Sequence, residues 1–388
     1  MLNGLEAWEP RVLGERLKAA RSKAGLTQED VAQALSVART TVVALEKGQR
    51  RVRPEEFRAL ADLYGLSANA LLRPSSVHVD VAPRFRVTAA TSGEAAVEAG
   101  KLLVDLAAAE VELERLLGQP LRPNYPPVKP ILPGDVRRQA EDAAIELRHR
   151  LGLGLAPITD IVSLLEVELG IRVFIQSLSD GSISGAYVYD DKLGACVLLN
   201  RKHRRARRAL TGSHELGHFV SVRGEPAVVD LSRVPQSREE KFASVFALEF
   251  LMPAALVRRY YNDLRTETGR FSPRHLILTA HALNVSNEAM CRRLEELSLL
   301  PHGTWASLED RGFSGETVRQ VLGDAVPEQE QLTMPPRLWL LAAGAYHREL
   351  LSEGQLARML RMDRLEVREM LDALDAEGAD DLDAVAAQ

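Results

Sequence analysis

The pentapeptide His214-Glu215-Leu216-Gly217-His218 constrains this chain more than any other stretch of it. On an α-helix, residues four apart stand one turn above each other on the same face. Two imidazoles so placed can grip one metal ion, and the glutamate between them can reach a water on that ion. The metal acidifies such a water, and a carboxylate beside it serves as general base. The pentapeptide lies within LTGSHELGHFVSV, so a helix carrying it buries part of its ligand face. The chemistry still needs a third protein ligand and one open position on the metal.

A second helix is expected downstream, over SREEKFASVFALEFLMP, with Glu239, Glu240 and Glu249 as candidates for that ligand. Glu240 shares a stripe with Ser244, Ala247 and Leu251, small and apolar positions that suit a helix packed on the metal helix. Most helix glutamates are instead solvated partners of a nearby Lys or Arg, so position alone favours Glu240 only modestly over the other two. Zinc is the ion that the ligand types suggest, while a site of two histidines and one glutamate also accepts manganese or iron.

The surrounding pattern predicts a mixed α and β core. IRVFIQSL, ISGAYVYD and ACVLLN alternate like strands and are bounded by turn residues. Helices are expected at 135–151 and 157–170, from near Arg204 through the pentapeptide, and over most of the chain to 300. The run IRVF, ISGAYVYD, ACVLLN, RRARRALTGSHELGHFV, EEKFASVFALEFLMP resembles the ImmA/IrrE metallopeptidases across residues 136–255. That resemblance implies a zincin-like domain cutting a peptide bond. It puts the metal-binding glutamate at Glu240 beside His214 and His218, with Glu215 as catalytic base. Two positions depart from the family pattern: Ser213 replaces its usual alanine and Ser244 its usual asparagine. The resemblance also suggests that CVLLN, ending at Asn200, is an edge strand on which an extended substrate pairs. Tyr187, Tyr189, Tyr260 and Tyr261 are candidates for steadying the oxyanion, with no reason to rank one above another.

The N-terminal part reads differently. Residues 11–72 show short helices: Gly25 ends the first, Thr27 caps the second with Asp30 three residues on, Pro54 opens the fourth, and SANALL forms a last one. LKAARSKAGLTQEDVAQALSVARTTVVALEKGQRRVRPEEFRALADLYGLSANALL resembles an XRE/Cro-type helix-turn-helix domain. The resemblance implies that Gln28 touches the DNA backbone and that Arg39, Thr40 and Thr41 open the helix that enters the major groove. Lys47, Gln49, Arg50, Arg51 and Arg53 form a basic loop suited to phosphates. Val43 and Ala44 stand where that family often carries polar side chains. RKHRRARR at 201–208 holds six Lys or Arg. Arg204, Arg205, Arg207 and Arg208 thus either contact nucleic acid or substrate near the metal helix, or form a solvated helix start, the usual fate of charge runs.

Length and composition bound these readings. A chain of 388 residues exceeds one ordinary core. A net charge of −5 confines any DNA-binding surface to a local patch. Two cysteines without CxxC spacing, no long apolar run and a start without the pattern of a secretion signal point to the cytoplasm and away from membranes. The expected fold class is α+β, in four parts: 1–75 helix-turn-helix, 76–134 a helical and Pro-rich linker with six prolines between 119 and 134, 135–300 the metallopeptidase core, and 301–388 a helical region. In that last region, 335–377 reads as helix-turn-helix and fits either a docking unit or a cap on the core. The expected function is a regulatory metallopeptidase that binds double-stranded DNA, responds to single-stranded DNA or another stress signal, works as a homodimer, and cuts an XRE-type repressor. The alternative is a transcriptional regulator whose peptidase fold serves as sensor or scaffold.

Overall fold

The computed structural model describes residues 10–64, 86–87, 93–223, 228–231, 237–323 and 335–378. Backbone contacts divide the chain into two compact units, Met1–His78 and Val79–Gln388.

Among the described residues of the first unit, four helices run Pro10–Lys23 (α1), Gln28–Ala34 (α2), Arg39–Glu46 (α3) and Pro54–Leu63 (α4). Thr27 caps α2 and Asp30 returns the favour: the Asp30 amide donates to Thr27 Oγ1 at 3.2 Å, and the Thr27 amide to the Asp30 carboxylate at 2.7 Å. Leu13, Leu17, Val31, Val42, Phe57 and Leu60 close the core. Gly14 lets α1 approach α3, since a Cβ there would stand 2.5 Å from the Leu45 carbonyl oxygen. The helix expected over SANALL lies outside the described residues.

The second unit is built on a mixed five-stranded sheet. Its strands are Arg86–Val87 (β1), Arg172–Gln176 (β2), Ile183–Asp190 (β3), Gly194–Asn200 (β4) and Val228–Leu231 (β5), in the order β1-β5-β3-β4-β2. β3 runs against all the others: it is antiparallel to β4 and β5, while β1 pairs parallel with β5 and β2 parallel with β4. Residues of β2, β3 and β4 are buried on both faces, which explains their near-continuous apolar runs. Val173, Tyr187, Val197 and Leu199 turn to one core, whereas Phe174, Ala186, Val188 and Leu198 turn to another, as a period of two requires.

In the first of these cores Arg205–Val222 (α7) lies on the sheet, Arg238–Leu251 (α8) packs on α7, and Val136–Arg150 (α6) packs on the far side of α8. Ala254–Thr268 (α9), Pro273–Ala282 (α10), Asn287–Glu296 (α11), Thr304–Asp310 (α12) and Gly315–Leu322 (α13) continue that layer. The second core is covered by Gly93–Leu117 (α5) together with Pro336–His347 (α14), Glu353–Leu360 (α15) and Arg364–Gly378 (α16). Among the described residues, no helix is long and apolar enough to cross a membrane.

Three expectations need revision. The helix read as part of a linker, α5, is instead a wall of the second core, with Leu103, Leu106 and Leu113 fully buried. Its Glu114 accepts from Arg172 of β2 at 2.7 Å and from Arg337 of α14 at 2.9 Å, so one carboxylate ties sheet, helix and C-terminal region together. The Pro-rich stretch is likewise a strap on this unit, its Asn124 and Lys129 amides donating to the carbonyls of Leu169 (3.0 Å) and Val220 (2.8 Å). β4 is not an edge strand. It is paired on both sides, with β2 and with β3, so its backbone has no free edge for a substrate.

Candidate metal centre

α7 carries the pentapeptide on its inner face, where His218 and Glu215 are essentially fully buried and His214 is partly so. α8 crosses it closely because Gly217 has no side chain. A Cβ at Gly217 would stand 2.8 Å from Ala243 Cα and 3.2 Å from Ala243 Cβ. Glu240, one turn before Ala243 on α8, is thereby delivered to the two histidines. Ser237 caps α8 and accepts from the Glu240 amide at 3.1 Å, so the Glu240 carboxylate also lies in the favourable first turn of the helix.

His214, His218 and Glu240 form the one group of three or more potential metal ligands found among the described residues. The Nε2 atoms of the two histidines are 3.1 Å apart, and each lies 3.3 Å from a Glu240 oxygen. Ligands about 2.0–2.1 Å from a tetrahedral zinc ion stand about 3.3–3.4 Å from one another. The three distances match that spacing, with His214 reaching Oε2 and His218 reaching Oε1 of Glu240, so the donor set fits the ion. Burial by itself would raise the Glu240 carboxyl, but hydrogen bonds and charge from His214 and His218 outweigh it and hold the group well below the usual carboxylate range.

Glu215 points toward β3. A Cβ on Gly185 would lie 3.5 Å from Glu215 Oε1 and 2.6 Å from Thr211 Cγ2, so this glycine leaves the room that Glu215 and Thr211 occupy. Ser213, next to His214, is fully buried and its hydroxyl has no hydrogen-bond partner among the described residues.

The other candidates for the third ligand are placed differently. Glu249 is 4% exposed and forms a buried ion pair with Arg293, while its other oxygen accepts from the Ala254 amide at 3.1 Å. It is therefore an anchor rather than a solvated helix glutamate. Arg293 Nε also donates to the Met252 carbonyl at 3.2 Å, and Arg148 holds the Phe250 carbonyl at 2.5 Å, so two buried arginines secure the end of α8. Glu239 is half-buried beside Glu240 at the start of α8.

The four candidate tyrosines have the following partners. Tyr187 is buried and donates to the Arg223 carbonyl at 3.3 Å, and Tyr189 donates to Asp191 at 3.4 Å. Tyr261 packs on Phe271 with ring centres 4.9 Å apart, and Arg259 lies 5.8 Å from the Tyr260 ring. The basic run is largely consumed within the chain. Arg205 donates to the Thr159 carbonyl, Arg207 to Ser184 at 3.0 Å, and Arg208 to the His203 carbonyl at 3.0 Å, whereas Arg204 is the exposed N-cap of α7.

In the first unit, Arg39, Thr40 and Lys47 are exposed around α3, and Thr41, Val43 and Ala44 are half-buried. Gln28 donates to Glu46 at 2.8 Å, a carboxylate also held by Arg21 at 2.6 Å. Arg50 pairs with Glu56 at 2.8 Å. Two of the six expected DNA contacts are therefore engaged inside the unit.

The sequence reading missed Gly217, Gly185 and the Glu249–Arg293 anchor. Gly217 was visible as a glycine inside a buried helix, a common mark of close helix approach, but its partner was not.

No curated protein matches the chain. Residues 12–73 match the family model of a helix-turn-helix domain, and residues 167–295 match that of the IrrE N-terminal-like peptidase domain, which spans β2 to α11 and so contains all three ligand residues and Glu215. The chain is a fusion of a helix-turn-helix domain with an IrrE N-terminal-like domain.

Proposed function

We propose that this chain is a DNA-binding regulatory metallopeptidase of the cytoplasm that cuts a protein substrate. The observation that carries the reading is the convergence of His214, His218 and Glu240, with 3.1 Å between the two Nε2 atoms and 3.3 Å from each to a Glu240 oxygen, beside a buried Glu215. His214, His218 and Glu240 would hold zinc, which when bound acidifies a water and polarises the carbonyl under attack. Glu215 takes the proton of the attacking water and returns it to the departing amine. Its burial keeps bulk water from competing for that proton. The resemblance to ImmA/IrrE proteins supports an XRE-type repressor as substrate, and hence relief of repression under stress.

The helix-turn-helix unit supports binding to double-stranded DNA through the exposed Arg39, Thr40 and Lys47. The outward Arg204 is the member of the basic run best placed for a further nucleic-acid contact, including single-stranded DNA.

Metal analysis of the purified chain beside His214→Ala, Glu240→Ala and Glu215→Gln tests the site. The expected result is about one zinc per chain in the wild type and in Glu215→Gln, and none in the other two. Cleavage of a co-purified XRE-type repressor should fall about 10²–10⁴-fold in Glu215→Gln. A wild type that takes up no zinc, or a Glu215→Gln variant that cleaves as fast as wild type, would return the fold to a sensor or scaffold. For the DNA arm, Arg39→Ala should weaken duplex binding in a gel-shift titration, and an unchanged affinity would remove α3 from the interface.

A further inference from the structure

β3 is the strand that borders the catalytic group, since Gly185 faces Glu215 and Thr211. A strand has two hydrogen-bonding edges. One edge of β3 is filled by β4 over six consecutive pairs, from Gly185↔Leu199 to Asp190↔Gly194. The other is filled by β5, with Tyr187↔Val228, Ala186↔Val229 and Gly185↔Asp230 in register and a shift before Ile183↔Leu231. β5 thus runs antiparallel to β3 and crosses opposite Gly185, the residue next to Glu215. Any extended peptide that pairs with the site-bordering strand must take this track. Among the described residues the remaining open edges, those of β1 and β2, are each separated from β3 by a strand.

We propose that β5 is an internal stand-in for substrate: it fills the edge of β3 on which an extended protein segment must pair, and it has to leave before cleavage. The inference rests on the peptidase reading of the site and adds its regulation and the shape of its substrate. The partner is a segment that is extended over about four residues and runs antiparallel to β3. Such strand addition takes most of its hold from main-chain hydrogen bonds, so β5 competes whatever the side chains of the incoming segment.

The construction suits exchange. β5 is four residues long and its outer neighbour β1 gives it only two further pairs, Arg86↔Val228 and Val87↔Val229. Short ladders of this size are marginal by themselves. β5 also lies between the metal helix, which ends at Val222, and α8, which begins at Arg238, so its departure opens the site without unthreading either ligand-bearing helix. β1 stands soon after the end of the helix-turn-helix unit at His78.

The test uses the full chain loaded with zinc. The double variant Val228→Pro, Val229→Pro removes two adjacent amide donors, one facing each neighbour, and should free the β3 edge. Fluorescein-labelled casein should be cut at least tenfold faster than by wild type, and Glu215→Gln in the same background should abolish the gain. A labelled peptide PAVVDLSRV, the sequence of residues 226–234, is then titrated by anisotropy against proteins carrying Glu215→Gln. It should bind the double variant at least tenfold more tightly than the otherwise wild-type chain.

Peptide binding without cleavage by any form keeps the strand exchange and removes the peptidase reading. Equal cleavage by both forms with equal peptide binding overturns the exchange and leaves the peptidase reading intact. Should the double variant fail to fold, amide hydrogen exchange in the wild type decides. Amides of β5 and residues 185–187 that bond to each other should exchange at least tenfold faster than the β3–β4 pairs. Equal protection in both ladders would show that β5 does not leave the folded protein, which overturns the proposal.

Discussion

Two glycines on the metal helix should respond to the same substitution with opposite sign. At Gly217 a new Cβ meets Ala243 Cα at 2.8 Å, and the Ala243 Cβ and carbonyl oxygen at 3.2 Å. Carbon atoms pack at about 3.5–4.0 Å, so Gly217→Ala must push α7 and α8 apart by about 0.7–1.2 Å. The obstacle is backbone, so no rotamer change relieves it. Glu240 rides on α8 one turn away. Displacing it by that amount takes its oxygen from a bonding distance of about 2.0–2.2 Å to about 3 Å, outside the coordination shell of zinc. Zinc affinity should fall about 100-fold, equivalent to about 2.8 kcal/mol. Overpacking should cost a further 1–3 kcal/mol or so of stability. At Gly212 a Cβ would meet Ile161 Cγ1 at 3.4 Å and Leu165 Cδ1 at 3.5 Å, ordinary contacts with side chains that can adjust. Gly212→Ala should therefore keep zinc affinity and gain about 0.5–1 kcal/mol from helix propensity. Competition with a chromophoric chelator gives the affinities, and urea unfolding gives the stabilities. A Gly217→Ala protein that binds zinc as tightly as wild type would refute the claim that this contact sets the third ligand.

Two further predictions concern buried charge in the same unit. Glu249→Ala should destabilise it by about 2–3 kcal/mol, because Arg293, 2% exposed, loses one of its two carboxylate partners and keeps Glu296 at 2.8 Å; the double variant Glu249→Leu, Arg293→Met should recover much of the loss in urea unfolding, and a single variant as stable as wild type would exclude the anchor. Burial, followed by the charge of Glu110, raises the Glu166 carboxyl to about 8, and burial raises Glu110 to about 7. A carboxyl raised on folding stabilises the protein below its unfolded pKa, and that contribution is lost as pH climbs through the folded value. Stability of this unit should thus decline from about pH 4.5 to 8, and Glu166→Gln should flatten the decline, adding on the order of 2–4 kcal/mol at pH 8. Urea midpoints at pH 5, 6.5 and 8 read this directly, and parallel profiles for the two proteins would sink it.

Local chemistry was legible in the sequence wherever a short span decides the outcome. The i,i+4 histidines with Glu215 between them, the Thr27–Asp30 reciprocal cap, the Pro54 helix start and the alternating strands all depend on neighbours a few residues away, so their residue types carry the signal. The stripe on α8 pointed to Glu240 among three glutamates, though only as a preference. Long-range decisions lay elsewhere. Glu249 stayed a candidate beside the favoured Glu240, and the sequence gives no sign that Arg293, 44 residues on, claims it. Gly217 could be read as a close approach, but not as an approach to Ala243. β4 has the composition of an edge or a central strand alike, and only pairing by both β2 and β3 makes it central. The Ala- and Leu-rich α5 reads as a long helix in a linker, and it is a wall of the core because the second face of the sheet is apolar and has to be covered. Burial and hydrogen-bond pairing are properties of contacts between distant segments, and no single stretch of sequence encodes which partner arrives. The four-residue β5, too short to carry a periodic signal, shows the same limit: its place opposite Gly185 exists only in the folded chain.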